Sequence, residues 1–255
     1  MSSRIDVEIT VNTAVLTINR PSVRNAIDLA TAQQIAAALD DFDRNKVVRT
    51  IVITGSGGFF SAGMDLKALA ATNERPISDD RGAFGIVEKP PIKPLIAAVE
   101  GAALGGGLEI ALTADIIVAA QDAKFGLPEV SRGLVATAGG AIRLPTRIPR
   151  ALALEMIMTG APISAKRAYE IGLVNHVVPP GTTLAAAREI AGVIARNAPI
   201  AVRAAKAVAS RSSGWPEADA FTLQRRFTDP VRESADAAEG ARAFIEKRPP
   251  VWRDA

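Results

Sequence analysis

Two carboxylates carry the strongest chemical signal in this sequence. Glu109 stands in an otherwise apolar run, between Leu108 and Ile110, Ala111 and Leu112, and Glu129 follows 20 residues later in Phe125-Gly126-Leu127-Pro128-Glu129. A carboxylate buried in such a setting must be paired, protonated or in a cavity. Two that share a pocket can divide acid and base duties. Two that do not are helix-start partners or salt-bridge members, and the sequence leaves both readings open. The inventory narrows the chemistry further. There is no cysteine and a single histidine, His176. Thiolate nucleophiles, disulfides and two-histidine metal sites are therefore excluded, and acid–base work falls mainly to Asp, Glu, Lys or Tyr. Asp79-Asp80 has no companion ligands nearby in sequence and reads as a solvated loop. His176, in Leu173-Val174-Asn175-His176-Val177-Val178, is expected on a strand or loop without catalytic duty. No metal and no redox cofactor is implied.

Two glycine-bearing segments accompany the acids. Gly105, Gly106 and Gly107 open a helical run after an apolar strand, at a cost in backbone entropy. The spacing fits neither a Walker loop nor a dinucleotide fingerprint. A lone triple glycine is more often close helix–sheet packing, but it also suits unpaired amides that must face a ligand. The second segment is Phe59-Phe60-Ser61-Ala62-Gly63-Met64-Asp65-Leu66, whose small residues permit close backbone approach; alone it reads as a tight turn into a helix.

The elements that must hold these residues follow from periodicity. Apolar, β-rich runs at 14–18, 50–54, 95–99 and 115–119 alternate with helical patterns at 30–42 and 104–114, which argues for an α/β fold with buried strands. Residues 72–94 contain Pro76, Pro90, Pro91 and Pro94 and read as a loop or short helices over a site. From about Thr183 the pattern turns helical, at 184–195, 200–209, 215–227 and 234–247, so the chain divides into an α/β part, 1–182, and a helical part, 183–255. Trp215 and Phe227 are expected as apolar anchors there, in the core or at a subunit contact. With 255 residues, 48% apolar, 22% charged and net +3, the chain is globular, without a membrane span and without a nucleic-acid signature. Residues 1–9 alternate polar and apolar types and lack an export stretch, so a cytoplasmic location is expected.

Taken in order, these segments resemble the crotonase family of enoyl-CoA hydratases and isomerases. The matching words are Asn19-Arg20-Pro21 with Asn25-Ala26, Phe60-Ser61-Ala62-Gly63-Met64-Asp65-Leu66, and Pro94 to Gly101 running into Leu104-Gly105-Gly106-Gly107-Leu108-Glu109. Ala114-Asp115-Ile116, Phe125 to Glu129, Gly139-Gly140 and Ala243-Phe244-Ile245-Glu246-Lys247-Arg248 complete the set. The resemblance implies a crotonase-like (ClpP/crotonase) spiral of ββα units. Its helical C-terminal region builds trimers, often paired into hexamers. The implied reaction is hydration of a 2-enoyl thioester. Coenzyme A enters as part of the substrate, and no separate cofactor is needed.

The resemblance also assigns residues. Glu109 and Glu129 match the two glutamates that handle water and proton. The backbone amides of Met64 and Gly106 match an oxyanion hole, with Gly106 at a favourable helix start. Arg24, Ala62 and Lys67 match coenzyme A contacts. Phe244 and Lys247 would reach the ligand of a neighbouring subunit. Two departures stand out. Ser22 occupies a position where the family often has lysine, and Arg24 is the nearby charge. Ala136-Thr137 replaces a Pro-Gly pair, so Thr137 adds a methyl and a hydroxyl to the acyl pocket. Hydration of a crotonobetainyl-type thioester and double-bond isomerisation are the alternatives within the family. A non-catalytic acyl-CoA-binding protein is the alternative outside it.

Overall fold

A computed structural model describes residues 3–255. The chain opens with an antiparallel pair, β1 (Ile5–Thr10) and β2 (Thr13–Ile18), followed by α1 (Leu29–Arg44) and β3 (Thr50–Gly55). Next come α2 (Leu66–Thr72) and a two-residue-per-strand hairpin, β4 (Ile77–Ser78) and β5 (Gly82–Ala83). The middle of the chain holds β6 (Leu95–Val99), β7 (Ala102–Leu104), α3 (Gly106–Ala111), β8 (Ile116–Ala120) and β9 (Lys124–Gly126). A 3-10 turn, Pro128–Arg132, leads to α4 (Gly140–Arg147) and α5 (Arg150–Thr159), then β10 (Ile163–Ser164), α6 (Ala165–Glu170) and β11 (His176–Val178). Four helices end the chain: α7 (Thr183–Ala195), α8 (Pro199–Arg211), α9 (Ala220–Arg232) and α10 (Ala235–Glu246).

The large sheet has the order β1-β2-β3-β6-β8-β11, and every pairing beyond the first hairpin is parallel. Side chains alternate across it as the pleat requires. Leu16, Ile51, Ile53, Leu95, Ala97 and Ile117 face one core together with Ile35, Leu39 and Phe42 of α1. Val15, Val52, Ile96, Ala98 and Val118 face the other way, onto Ala187 and Ala191 of α7. Burial on both faces is why these strands read as continuous apolar runs.

A second, small sheet, β10-β9-β7, is reached by bends directly after the large strands. Each turn of the chain thus donates a strand to the large sheet, bends, donates an extended piece to the small one, and enters a helix. In the turn from β3 the small piece is Ser61 alone, bridged to Ala103 and leading to α2. In the next it is β7, leading to α3; in the third it is β9, leading to the 3-10 turn. This is the spiral of strand–strand–helix units that the family resemblance implies. Its stacking lines up three successive starts of helical structure: Met64, Gly106 and Glu129.

Several expectations are corrected. The run 104–114 is helical only over Gly106–Ala111, because Ala102–Leu104 is drawn into the small sheet by pairing with β9. Residues 73–94 are largely loop, one of the two readings, but carry the short β4–β5 hairpin in place of helices. The buried Arg81 guanidinium ties this segment to α1 by pairing with Asp40 at 2.8 Å and Asp43 at 2.6 Å. Residues 5–10 are a strand, although only Ile5 is buried. The helix expected at 215–227 begins at Ala220, after a 3-10 turn. Trp215 and Phe227 stack with ring centroids 6.2 Å apart but are only half-buried, so they are not core in this chain. The helical region also divides in its packing. α7 covers the sheet, whereas α8 to α10 pack on one another and on the C-terminal tail through Arg203–Asp254 and Arg248–Glu239. Among the described residues no helix is long and apolar enough to cross a membrane.

Candidate functional site

A cavity of about 530 Å³ opens where the three helical starts converge. Glu109, Glu129, Met64, Gly106, Arg24, Ala62, Lys67 and Thr137 all line it. Phe244, 86% exposed on α10, and Lys247, its left-handed C-cap, lie elsewhere on the chain. His176 is exposed on β11, and Asp79 and Asp80 are exposed beside the hairpin; none of the three lines the cavity.

The glycines explain how backbone amides come to face this space. Gly105 adopts φ 54°, ψ −126°, a conformation open in practice only to glycine, and a Cβ there would stand 3.1 Å from Glu129 Oε1. A Cβ on Gly106 would enter the Phe84 ring, and one on Gly107 would enter the Ser61 carbonyl. At Gly63 (φ 85°) it would lie 2.6 Å from the Gly106 nitrogen. The triple glycine therefore serves close packing and amide exposure together. Neither the Met64 nor the Gly106 N–H donates to an acceptor among the described residues. Two free donors on abutting segments at a cavity wall suit an oxygen that gains negative charge. α3 spans only six residues, so its dipole adds little to what the amides themselves provide.

The segment bearing Met64 is held by Asn25, fully buried at φ 54°. Its Nδ2 donates to the carbonyls of Ser56 (2.8 Å) and Phe59 (2.6 Å), and its Oδ1 accepts from Arg20 N–H at 2.9 Å. Ser61 Oγ donates back to the Asn25 carbonyl at 2.8 Å and accepts from Gly63 N–H at 3.1 Å. Asn25→Ala would strand the Arg20 amide and two carbonyls inside the protein. It is expected to cost about 3 kcal/mol in urea unfolding, more than a single exposed hydrogen bond would. An unchanged midpoint would show that this network does not hold the segment.

Glu109 is 3% exposed, and its Oε1 accepts from Gly140 N–H at 2.9 Å, at the start of α4. Burial pushes its carboxyl from 4.5 up to about 7, and the nearby Glu129 charge adds to the rise. The Gly140 and Ala138 amides and the Arg143 guanidinium hold it back from going higher. Arg143 Nη2 in turn donates to the Val87 carbonyl at 2.6 Å, tying α4 to the chain that follows the hairpin. Glu129 is also raised, first by burial, against the opposing pull of its own amide and of Arg132. Its Oε2 is shielded from solvent and has no hydrogen-bond partner among the described residues. A carboxyl held near neutrality and another with an unmatched oxygen, in one cavity, form a pair suited to proton transfer.

Sequence reasoning passed over part of the wall. Arg132 stands three residues after Glu129, Arg75 precedes the hairpin, and Phe84 follows it; all three line the cavity. The proline-rich segment signalled a cover but not which of its residues faces inward. Thr137 sits at an exposed position, with its amide donating to the Val135 carbonyl at 2.8 Å.

Comparison with known proteins bears on the family and the fold of the chain. A family profile described as enoyl-CoA hydratase/isomerase matches residues 8–255. The chain is 41% identical over 251 residues to an enoyl-CoA hydratase, EchA19, of Mycobacterium tuberculosis, covering 95% of this chain and 94% of that protein. It is 42% identical over 246 residues to a carnitinyl-CoA dehydratase of Salmonella typhi, covering 93% and 94%. A crystal structure of an enoyl-CoA hydratase from M. tuberculosis superposes with a TM-score of 0.96 at 48% identity, over 99% of each chain.

Proposed function

Because the chain belongs to the enoyl-CoA hydratase/isomerase family, we propose that its cavity adds water reversibly to the double bond of a 2-trans-enoyl-CoA thioester. The observation that carries this reading is the pairing of Glu109 and Glu129 in one cavity with two unpartnered amides. The thioester carbonyl would accept from the Met64 and Gly106 N–H groups. Water held by Glu109 attacks the β-carbon and gives its proton to that carboxylate. The alkene electrons move onto the carbonyl oxygen, where the amides stabilise the enolate. Collapse of the enolate takes a proton from Glu129 onto the α-carbon. Proton exchange between the two acids then restores the starting state, and coupled carboxylates of this kind share the titration.

Arg24, Lys67 and the Ala62 backbone are assigned to the coenzyme A portion, the two cations meeting its phosphates. Phe244 and Lys247 are assigned to the ligand of a neighbouring subunit in a trimer or a pair of trimers. Thr137 is assigned to the acyl end of the cavity. The reaction needs no metal or separate cofactor, since the acids and amides supply every proton and charge contact in the steps above.

A test follows loss of the conjugated thioester absorbance with crotonyl, longer-chain, branched and crotonobetainyl thioesters, with 3-enoyl-CoA isomerisation in parallel. Turnover of at least one 2-enoyl-CoA to its 3-hydroxy product is expected. Binding without turnover of any 2-enoyl-CoA would replace the hydratase reading with that of an acyl-CoA-binding protein. Isomerisation alone would replace it with an isomerase.

A further inference from the structure

The amide that must be held still belongs to the most mobile kind of residue. Gly106 lies in a run of three glycines, and its N–H has no acceptor among the described residues. Glycine has more open conformations than any other residue, so its own backbone does little to keep that donor aimed. Contacts from other segments must do so. One comes from Gly63, where a Cβ would stand 2.6 Å from the Gly106 nitrogen. The other is Phe84. Its ring edge, at Cζ and Cε2, occupies the space that a side chain of Gly106 would fill.

Phe84 is itself in an unusual state. It is 5% exposed and adopts φ 56°, in the left-handed region that a bulky residue rarely enters. Such a conformation persists only where its surroundings enforce it, and it gathers at functional sites. The enforcing contacts are specific. Phe84 N–H donates to the Pro76 carbonyl at 2.7 Å. Gly85 (φ 73°) abuts α1, where a Cβ would collide with the Ala32 carbonyl. At the base of the loop stands Arg81, 1% exposed. It donates from Nε to Asp40 at 2.9 Å, from Nη2 to Asp43 at 2.6 Å and from Nη1 to the Lys89 carbonyl at 2.9 Å. Glu88 N–H donates to the Arg81 carbonyl at 3.0 Å. The two ends of the loop are thus fastened to each other and to α1. Apolar residues often stabilise a fold as well as a buried ion cluster does, so what this cluster adds is a fixed position.

We propose that Phe84 is a positioning residue for the oxyanion amide of Gly106, and that the Arg81–Asp40–Asp43 cluster acts from a distance by holding Phe84 in place. The inference rests on the hydratase reading and deepens it, since it names what keeps one of the two amides in register with the thioester carbonyl. Phe84 neither gives nor takes a proton. With the ring gone, Gly106 gains conformations whose N–H points away from that oxygen. A group misplaced by about 1 Å loses on the order of a hundredfold in rate. Arg81 does not line the cavity, so its effect on the chemistry must pass through the loop.

The experiment compares wild type with Phe84→Leu, Phe84→Ala, Arg81→Met and Arg81→Lys. One reading is kcat and KM for hydration of a 2-enoyl-CoA. The other is the infrared carbonyl stretch of bound butyryl-CoA, isotope-labelled at its thioester carbon, a saturated ligand that cannot be hydrated. Hydrogen bonds to that oxygen lower the stretch, and wild type is expected to lower it relative to the free ligand. Phe84→Ala should lose more than half of that lowering and about thirtyfold in kcat, with KM within a few fold. Phe84→Leu should lose less of both. Arg81→Met should follow Phe84→Ala, and Arg81→Lys should recover part of the loss. If Arg81→Met does not fold, the Phe84 variants, which strand no buried charge, still decide the matter. Variants that unfold at lower urea yet keep the carbonyl shift and kcat would show a role in stability alone and overturn the inference. A carbonyl stretch unchanged in both Phe84 variants would overturn it even if kcat fell, because the ring would then act on the substrate rather than on the amide. No lowering in wild type would also overturn it. Absence of turnover in wild type, with a carbonyl shift that Phe84→Ala diminishes, would remove the hydratase reading and leave the positioning of the amide standing.

Discussion

Glu129→Gln is expected to lower kcat for hydration by about three orders of magnitude while leaving KM within a few fold, the range of effects seen when a general acid or base is removed. The state of its carboxyl is the reason. Burial raises it, so the acid form is held to a higher pH than usual. Its Oε2 meets no partner among the described residues, although it is sealed from solvent. Such an oxygen has lost its water without gaining a hydrogen bond, a cost normally accepted only where a ligand completes the arrangement. Glutamine keeps the size and the planar shape but has no proton that it can give to carbon. The loss should therefore fall on the chemical step. Two measurements check it: single-turnover hydration, and exchange of the α-proton of the 3-hydroxyacyl product with solvent deuterium. Both should fall together. Turnover within a few fold of wild type would remove Glu129 from the mechanism and leave Glu109 to act alone.

Residues of this kind were legible in the sequence because they break local rules. A glutamate inside an apolar helix and three glycines at a helix start each conflict with ordinary propensity, and functional sites are where such conflicts are tolerated. The strands β2, β3, β6 and β8 were legible for the opposite reason. Buried on both faces, they leave unbroken apolar runs that need no partner to be recognised. What escaped lies between those extremes. β7 has three residues and β4 and β5 two each, too short for any period to show, and they exist only because neighbouring chain pairs with them. β1 exposes all but Ile5, so its apolar members Val7 and Ile9 gave no burial signal. The partners of the site were hidden for a related reason. Gly140 reaches Glu109 across 31 residues, and Arg81 reaches Asp40 across 41. Spacing along the chain carries no trace of such contacts. The ordered resemblance identified the turns of the spiral, but not which side chain of the hairpin segment would form the wall at Gly106.

Glu109→Gln should separate function from stability in a way that a structural carboxylate would not. Activity is expected to fall by about two to four orders of magnitude, because the amide cannot accept the proton of the attacking water. Stability should move in the other direction, by an amount that depends on pH. In the folded chain the carboxyl is raised from 4.5 to about 7, so folding favours the protonated form. The stabilisation from holding that proton is complete below about 4.5 and is lost as pH rises through about 7. At about 1.4 kcal/mol per pH unit, ionised Glu109 costs the fold on the order of 3 kcal/mol above neutrality. Glutamine carries no such charge and can still accept from Gly140 N–H. At pH 8 and matched protein concentration, the variant should therefore unfold at higher urea than wild type. Near pH 5 most of that advantage should be gone. Wild-type activity should also decline as pH falls below about 7, since the base must be ionised to take a proton from water. If Glu109 served only to anchor α4 through Gly140, the variant would retain turnover. If burial did not strain its charge, the stability difference would be the same at both pH values. The strain on this carboxylate and its use as a base have the same origin, the removal of water from around it, so relieving the first should remove the second.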